Sequence, residues 1–295
     1  MGGMTFRGTH TALVTPFRDG RFDRAAFAAL IEEQIAGGVE GIVPVGTTGE
    51  SPTLSHEEHA EVIGLAVEVA AGRCLVIAGT GSNCTDEAVS LTADAARLGA
   101  GAALLVAPYY NKPSQEGLYR HFRAIAAATP LPLVLYSIPG RCGIEIATST
   151  VARLAADCPT VRAIKEAGGN VERVSALRAV LPASFEILSG DDSLTVPFLS
   201  VGAVGVISVA SNLLPAEVSG MVRAWLDGRV EEAAAAHARL YPLFKDLFLE
   251  PNPVPVKHAL ALRGAITPDV RLPLCEMASD TRAKLEATLR ALGIV

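Results

Sequence analysis

The chain is poor in cysteine and carries no excess of positive charge. Its five cysteines are odd in number, lie far apart and never form a C-x-x-C pair, which argues against a zinc or redox site and indicates reduced thiols. A net charge of −6 gives no sign of the basic patch that nucleic acid or an anionic membrane surface requires. We therefore expect a small-molecule partner.

Long apolar runs are also missing. The first ten residues, MGGMTFRGTH, lack the apolar centre of a signal peptide, and no later run approaches the ~18 apolar residues that a membrane span needs. We expect a cytoplasmic protein that does not enter a membrane. The composition, 50% hydrophobic and 19% charged, is typical of an ordered globular chain.

Short apolar runs recur along the first two-thirds of the chain. They are apolar throughout rather than alternating, which is typical of parallel strands covered by helices. Helical segments lie between them, as indicated by a capping box at Ser55 and Glu58 and by helix-ending glycines at Gly37 and Gly99. About eight β–α units favour a closed (β/α)8 TIM barrel over a doubly wound open sheet, whose glycine-rich dinucleotide fingerprint is absent. The runs occupy 10–16, 40–46, 74–79, 102–108, 131–137, 161–166, 185–190 and 204–210.

Beyond residue 212 the pattern changes to helices alone. We expect residues 1–212 to form the barrel and residues 213–295 to form a C-terminal helical extension packed on it, the two making one structural unit. A loop, EPNPVP, is predicted at 250–255. The helices of the extension are predicted at 215–227, 230–249, 256–263 and 279–292.

Lys165 ends the sixth apolar run and is the first catalytic candidate, because catalytic groups of barrels lie at the C-terminal ends of strands. A buried amine without a partner has a lowered pKa and supplies the neutral nucleophile that attacks a carbonyl. The alternative is an ion pair with Glu166, which is weakened because neighbouring residues on a strand point to opposite faces. The other lysines fall in loops or on helices, where solvated charges are expected. They are Lys112, Lys245, Lys257 and Lys284.

Other strand ends carry residues suited to binding anions and moving protons. The segment GTTGES at 46–51 brackets two hydroxyl residues with glycines, so that backbone N–H groups can turn toward a small carboxylate. Tyr136 ends the fifth run and can shuttle protons, and Arg141 in the next loop offers a bidentate fork to a second carboxylate. Taken singly, these are equally compatible with an ordinary turn, a buried aromatic ring and a surface cation. His56 and His59 are spaced i, i+3 rather than as H-E-x-x-H, so no metal site is expected.

Together these motifs resemble the dihydrodipicolinate synthase and N-acetylneuraminate lyase superfamily over nearly the whole chain. The GTTGE form is similar to the synthase branch, because the sialic acid lyases of the superfamily usually carry Ser in place of the first Thr. The motifs are GTTGES (46–51), PYYNKPSQEGLYRHF (108–122), LYSIPGRCG (135–143), IKEAGGN (164–170), SGDD (189–192), GVIS (205–208) and EPNPVPVK (250–257).

The resemblance implies an enzyme that forms a Schiff base and needs no cofactor or metal. It implies that pyruvate and L-aspartate 4-semialdehyde condense to 4-hydroxy-tetrahydrodipicolinate, on the diaminopimelate route to lysine. Lys165 would form the Schiff base, with Tyr136, Thr47 and Tyr110 as a proton relay. Tyr110 would come from a neighbouring subunit of a homotetramer built as a dimer of dimers. The other implied site residues are Thr48 for the pyruvate carboxylate, Arg141 for the aldehyde carboxylate, and Gly190 and Ile207 as lining.

Feedback inhibition by L-lysine at a subunit interface is implied in the same way. Pro52 departs from the small residue that is common in this motif, and Ser137 stands where the synthase more often has Asn. These departures bear on lysine affinity and on the second substrate rather than on the Schiff base. The residues that match the lysine motif are Ser51, His56, His59, Asn83, Glu87 and Tyr109.

Two other functions remain open from the sequence. A sister pyruvate-dependent aldolase or dehydratase would act on a 2-keto-3-deoxy sugar acid or a hydroxy-2-oxoglutarate, and Arg141 argues against it. A non-catalytic lysine or pyruvate sensor would keep the fold without turnover, and the complete set of proton-relay residues beside Lys165 argues against it. The aldehyde consumed with pyruvate distinguishes the first from the synthase, and covalent chemistry distinguishes the second.

Overall fold

The computed structural model describes residues 4–295, and its centre is a closed barrel of eight parallel strands. The barrel strands pair in chain order, and the first closes the ring by pairing with the last. The predicted TIM barrel is therefore confirmed. A separate antiparallel hairpin, β2–β3, was not predicted from the sequence. The strands are β1 Gly8–Ala12, β2 Phe17–Arg18, β3 Arg21–Phe22, β4 Gly41–Val43, β5 Leu75–Gly79, β6 Ala102–Val106, β7 Leu133–Ser137, β8 Val161–Glu166, β9 Glu186–Ser189 and β10 Gly205–Ser208.

Helices follow the barrel strands and form the outer layer. The predicted capping box is present, with the Ser55 hydroxyl accepting from Glu58 N and the Glu58 carboxylate accepting from Ser55 N. Gly37 ends the first helix, and Gly99 follows the third with a φ of 92°, which favours glycine. The helices are α1 Arg24–Ala36, α2 His56–Ala70, α3 Thr85–Arg97, α4 Gln115–Ala127, α5 Pro139–Cys142, α6 Thr148–Asp157, α7 Val171–Val180, α8 Thr195–Ser200, α9 Pro215–Leu226, α10 Val230–Asp246, α11 Val254–Leu262 and α12 Ser279–Ala291.

The last four helices pack on the barrel rather than beside it. One continuous apolar cluster contains Val14 and Val206 from the barrel together with Phe244, Leu260 and Leu285 from α10, α11 and α12. The segment between α10 and α11 passes over the barrel mouth, where it reaches the loop after β4. No helix within residues 4–295 is both long and apolar enough to span a bilayer.

The interior of the barrel is filled with side chains. An apolar cluster that includes Val43, Ile77, Val134, Leu188 and Ile207 occupies the space between the strands. This cluster forms the apolar floor of a cavity, and the residues at the C-terminal ends of the strands surround that cavity. The fold therefore places the strand-end residues around one space, as in other barrels of this type.

Candidate active site

A cavity of about 450 Å³ opens at the C-terminal ends of the barrel strands. It is large enough for a small organic acid together with a second small substrate. The residues that line it come from the ends of different strands, so only barrel closure brings them together. Among them are Thr47, Thr48, Tyr136, Arg141, Lys165 and Gly190.

Lys165 lies in this cavity with 6% of its surface exposed. It is the register partner of Tyr136 on the neighbouring strand, and its Nζ lies 4.2 Å from the centroid of the Tyr136 ring. Burial lowers the pKa of Lys165 to about 7, with Asp192 opposing the shift and the Arg141 guanidinium adding to it. About half of the amine is therefore neutral near pH 7, as a nucleophile requires.

Glu166 does not pair with Lys165. Its side chain projects from the opposite face of β8 and is fully buried. There the carboxylate accepts hydrogen bonds from Arg173 Nε at 2.7 Å and from Gly168 N at 2.7 Å. The alternative interpretation, an ion pair between the two neighbours, is wrong because adjacent residues of a strand point to opposite faces. Within residues 4–295 no carboxylate forms an ion pair with Lys165.

The segment 46–51 after β4 forms a tight turn at the edge of the cavity. Gly49 N donates to Gly46 O at 3.1 Å, Glu50 N donates to Thr47 O at 3.1 Å, and the Thr15 hydroxyl donates to Gly49 O at 2.7 Å. These bonds leave the backbone N–H groups of Thr47 and Thr48 without an acceptor among the described residues. Free N–H groups at the edge of a cavity are suited to binding a carboxylate.

Tyr136 is buried at the cavity wall, with 5% of its surface exposed. Burial raises the pKa of its phenol to about 12, and the nearby Arg141 guanidinium and Thr47 hydroxyl oppose the shift. The phenol therefore stays protonated at neutral pH. A neutral phenol beside an amine can give a proton and take one back.

The other predicted site residues occupy different depths. Gly190 leaves room for the lysine, since a Cβ at this position would lie 3.0 Å from Lys165 Cε. Ile207 is fully buried in the apolar floor that also contains Tyr136. Arg141 is exposed on α5 and lines the cavity. Tyr110 is 90% exposed with a left-handed φ of 71°, and it is not among the residues lining the cavity of its own chain.

The residues of the lysine motif lie beside the same cavity. His59 is buried and bonds Gly79 O at 2.9 Å, whereas the His56 ring lies 3.0 Å from the Glu87 carboxylate. A hydrogen bond from Ser82 and the contact with His56 lower the pKa of Glu87. Asn83 does not line the cavity, and its amide donates to Tyr109 O at 3.3 Å. The members that line the cavity are Ser51, His56, His59, Glu87 and Tyr109.

Three residues near the cavity carry roles that sequence patterns did not reveal. The expectation that Lys257 is solvated is wrong, because its side chain is fully buried and pairs with Glu50. Asn252, in the loop before α11, lines the cavity and contacts Thr48. Asp192 is buried and accepts hydrogen bonds from Val209 N and Ala210 N, so it links the ends of β9 and β10. The motifs SGDD and EPNPVPVK contain these residues, but neither motif shows which group each side chain contacts.

Comparisons with known proteins agree over nearly the whole chain. The model of the dihydrodipicolinate synthetase family matches residues 5–292. The 4-hydroxy-tetrahydrodipicolinate synthase of Endomicrobium trichonymphae is 50% identical over 290 residues, covering 98% of this chain and 99% of the relative. The structure of the synthase from Methylacidiphilum fumariolicum SolV matches with a TM-score of 0.97 and 55% identity, covering 98% of this chain and 96% of that one. A lysine-bound synthase from Cyanidioschyzon merolae matches with a TM-score of 0.96 and 43% identity, covering 98% and 99%.

Proposed function

The chain belongs to the dihydrodipicolinate synthetase family, and we propose that its barrel cavity condenses pyruvate with L-aspartate 4-semialdehyde to give 4-hydroxy-tetrahydrodipicolinate. The enzyme is a lyase of the diaminopimelate route to lysine. The observation that carries the proposal is the Lys165 amine, which is buried beside Tyr136 and has a pKa of about 7. The expected cytoplasmic location fits this biosynthetic role.

In the first half of the reaction, the neutral Lys165 amine attacks C2 of pyruvate. Loss of water and protonation of the nitrogen form the iminium ion, whose positive charge makes the methyl protons acidic. The free N–H groups of Thr47 and Thr48 are in a position to hold the pyruvate carboxylate. Loss of a methyl proton then gives an enamine that is nucleophilic at C3.

In the second half, the enamine attacks the aldehyde carbon of L-aspartate 4-semialdehyde. In this proposal Tyr136 protonates the new alkoxide, a role supported by its neutral phenol and by the contact of its ring with Lys165. Arg141, at the side of the cavity, supplies a guanidinium for the carboxylate of the second substrate. The substrate amine finally attacks the imine carbon, which closes the ring and releases Lys165.

We assign Tyr110 to the active site of a neighbouring subunit. It lies outside its own cavity, is largely exposed and adopts a φ of 71°, a backbone conformation that is costly for a residue with a side chain. A functional role of Tyr110 in the neighbouring subunit would offset the cost of this backbone conformation. The expected homotetramer, built as a dimer of dimers, would bring the phenol to the relay of Tyr136 and Thr47.

We also propose that L-lysine inhibits the enzyme through the wall formed by His56, His59 and Glu87. The Glu87 carboxylate has a lowered pKa and is therefore available to bind an ammonium group. This wall lines the same cavity as Lys165, so a ligand bound here lies close to the reacting groups. The lysine-bound relative from Cyanidioschyzon merolae supports this assignment.

The direct test traps the imine with borohydride in the presence of pyruvate and locates it by peptide mapping. We expect one reduced adduct, on the peptide that contains Lys165, and none in Lys165→Ala. Lys257 is a control within the same molecule, since it is also buried but paired with Glu50. Turnover with L-aspartate 4-semialdehyde must accompany the adduct. An adduct without this turnover would instead indicate a sister aldolase, and absence of an adduct would refute the Schiff base.

A further inference from the structure

The C-terminal extension contacts the segment 46–51 through three residues. Asn252 contacts Thr48 at the cavity, and Lys257, one turn into α11, pairs with Glu50 beneath it. Arg271 N adds a third contact by donating to the Glu50 carboxylate at 3.0 Å. The C-terminal extension therefore holds the segment that supplies the free N–H groups of the cavity.

The contact between Asn252 and Thr48 has a definite direction. Asn252 Nδ2 donates to the Thr48 hydroxyl oxygen at 2.9 Å, and Asn252 Oδ1 is buried without a partner among residues 4–295. The observed orientation leaves one Nδ2–H and the carbonyl oxygen without a partner among residues 4–295, whereas the reverse orientation would leave both N–H donors without one. Since unsatisfied buried donors are the costlier defect, the orientation with Nδ2 toward Thr48 is favoured.

This direction decides what the Thr48 hydroxyl can do. A hydroxyl has a single proton to donate, and it accepts through its lone pairs. Because Asn252 occupies a lone pair of Thr48, the proton remains available for an acceptor in the cavity. A bound carboxylate is such an acceptor, and hydrogen bonds to charged groups are stronger than neutral ones.

We propose that Asn252 is a positioning residue for the pyruvate carboxylate, acting through Thr48. It fixes the Thr48 hydroxyl as a donor toward the carboxylate, while the Glu50–Lys257 pair holds the backbone of the same segment. The inference rests on the proposed function, because it presumes that pyruvate is bound at this segment. It gives the C-terminal extension a part in substrate binding.

Two substitutions test the role of the amide. In Asn252→Ala the Thr48 hydroxyl loses its fixed direction, and we expect the pyruvate concentration for half-maximal adduct formation to rise about tenfold. The adduct yield at saturating pyruvate and the KM for the aldehyde should stay near the wild-type values. Asn252→Asp should raise that pyruvate concentration further, because a carboxylate would turn the Thr48 proton away from the cavity and repel pyruvate.

A double-substitution cycle separates positioning from mere support of the fold. In Thr48→Val the hydroxyl is gone, so adding Asn252→Ala should change pyruvate binding less than about twofold. Glu250→Gln is the matched control, since Glu250 lies in the same loop, anchors Ala278 N and Thr281, and does not line the cavity. It should leave pyruvate binding unchanged. Thermal melting of each variant reports folding, and Asn252→Ser replaces the alanine variant if that variant unfolds.

Three results would overturn the inference while leaving the Schiff base intact. These are unchanged pyruvate dependence in both Asn252→Ala and Asn252→Asp, full additivity with Thr48→Val, or an equal loss in Glu250→Gln. A wild-type protein that forms no pyruvate adduct would instead refute the proposed function, so the two failures are distinguishable.

Discussion

Lys165 and Tyr136 are register partners on adjacent strands, and the lysine Nζ lies 4.2 Å from the centroid of the tyrosine ring. Register partners on parallel strands project from the same face, so both side chains enter the barrel. Their common burial moves the two pKa values apart, to about 7 for the amine and about 12 for the phenol. One fold thereby supplies a nucleophile and a protonated acid at neutral pH.

The pH dependence of imine formation follows from the pKa of Lys165. Only the neutral amine reacts, so the rate at low pyruvate should rise as the pH increases through about 7 and then level off. Borohydride trapping at a series of pH values measures this rate. Arg141→Met should move the midpoint upward, because the guanidinium lowers the pKa of the lysine. A profile that still rises steeply above about pH 9 would show that the amine retains its ordinary pKa.

Gly190→Ala should impair Schiff-base formation through a steric clash. The added Cβ would lie 2.6 Å from Ala167 Cβ and 3.0 Å from Lys165 Cε, so Ala167 must shift and the lysine must move by a few tenths of an ångström. We expect the adduct to form at least about tenfold more slowly, since small displacements of a reacting group have large effects on rate. Gly220→Ala is the control, because a Cβ there meets nothing within 4 Å. Equal rates in both variants would contradict the packing argument.

Subunit complementation tests whether Tyr110 acts across an interface. Tyr110→Phe and Lys165→Ala should each be nearly inactive alone, since each lacks one part of every site. In a mixed dimer, the site with an intact Lys165 would receive Tyr110 from the partner. Unfolding and refolding an equal mixture should therefore restore activity to about a quarter of the wild-type value, from random assembly into symmetric dimers. No recovery would place Tyr110 in its own site or outside the mechanism.

Lysine inhibition should depend on the charge of Glu87. Glu87→Gln removes the charge that would hold an ammonium group, so the lysine concentration for half inhibition should rise at least about tenfold. Turnover without lysine should be unchanged, because Glu87 bonds Ser82 and His56 rather than Lys165 or Tyr136. A wild-type enzyme that keeps full activity at millimolar lysine would reject the regulatory proposal.

The buried Glu50–Lys257 ion pair, which joins the barrel to its C-terminal extension, should contribute strongly to the free energy of unfolding. Lys257→Met leaves a buried carboxylate without its cation and should lower the free energy of unfolding by about 3–5 kcal/mol. The double variant Glu50→Gln with Lys257→Met should recover part of this loss. Urea unfolding measures each value. Lys245→Met is the surface control and should stay within about 0.5 kcal/mol of the wild type.

Local patterns predicted the architecture well. The uniformly apolar runs identified every barrel strand, because parallel strands buried on both faces carry no polar alternation. The capping box at Ser55 and Glu58 appeared where expected, since a helix start depends on residues close in sequence. Boundaries were less accurate: the first run was predicted at 10–16 and the strand is Gly8–Ala12.

The sequence by itself determined the barrel, the position of Lys165 at a strand end and the family resemblance, because local sequence patterns specify all three. The tertiary structure decided which groups meet. Glu50 and Lys257 are 207 positions apart, and Thr48 and Asn252 are 204 apart, so no periodicity links them. It also decided that Lys165 has no carboxylate partner among residues 4–295, whereas Lys257 pairs with Glu50. The charge state of a lysine depends on what covers it, and only the folded chain determines that.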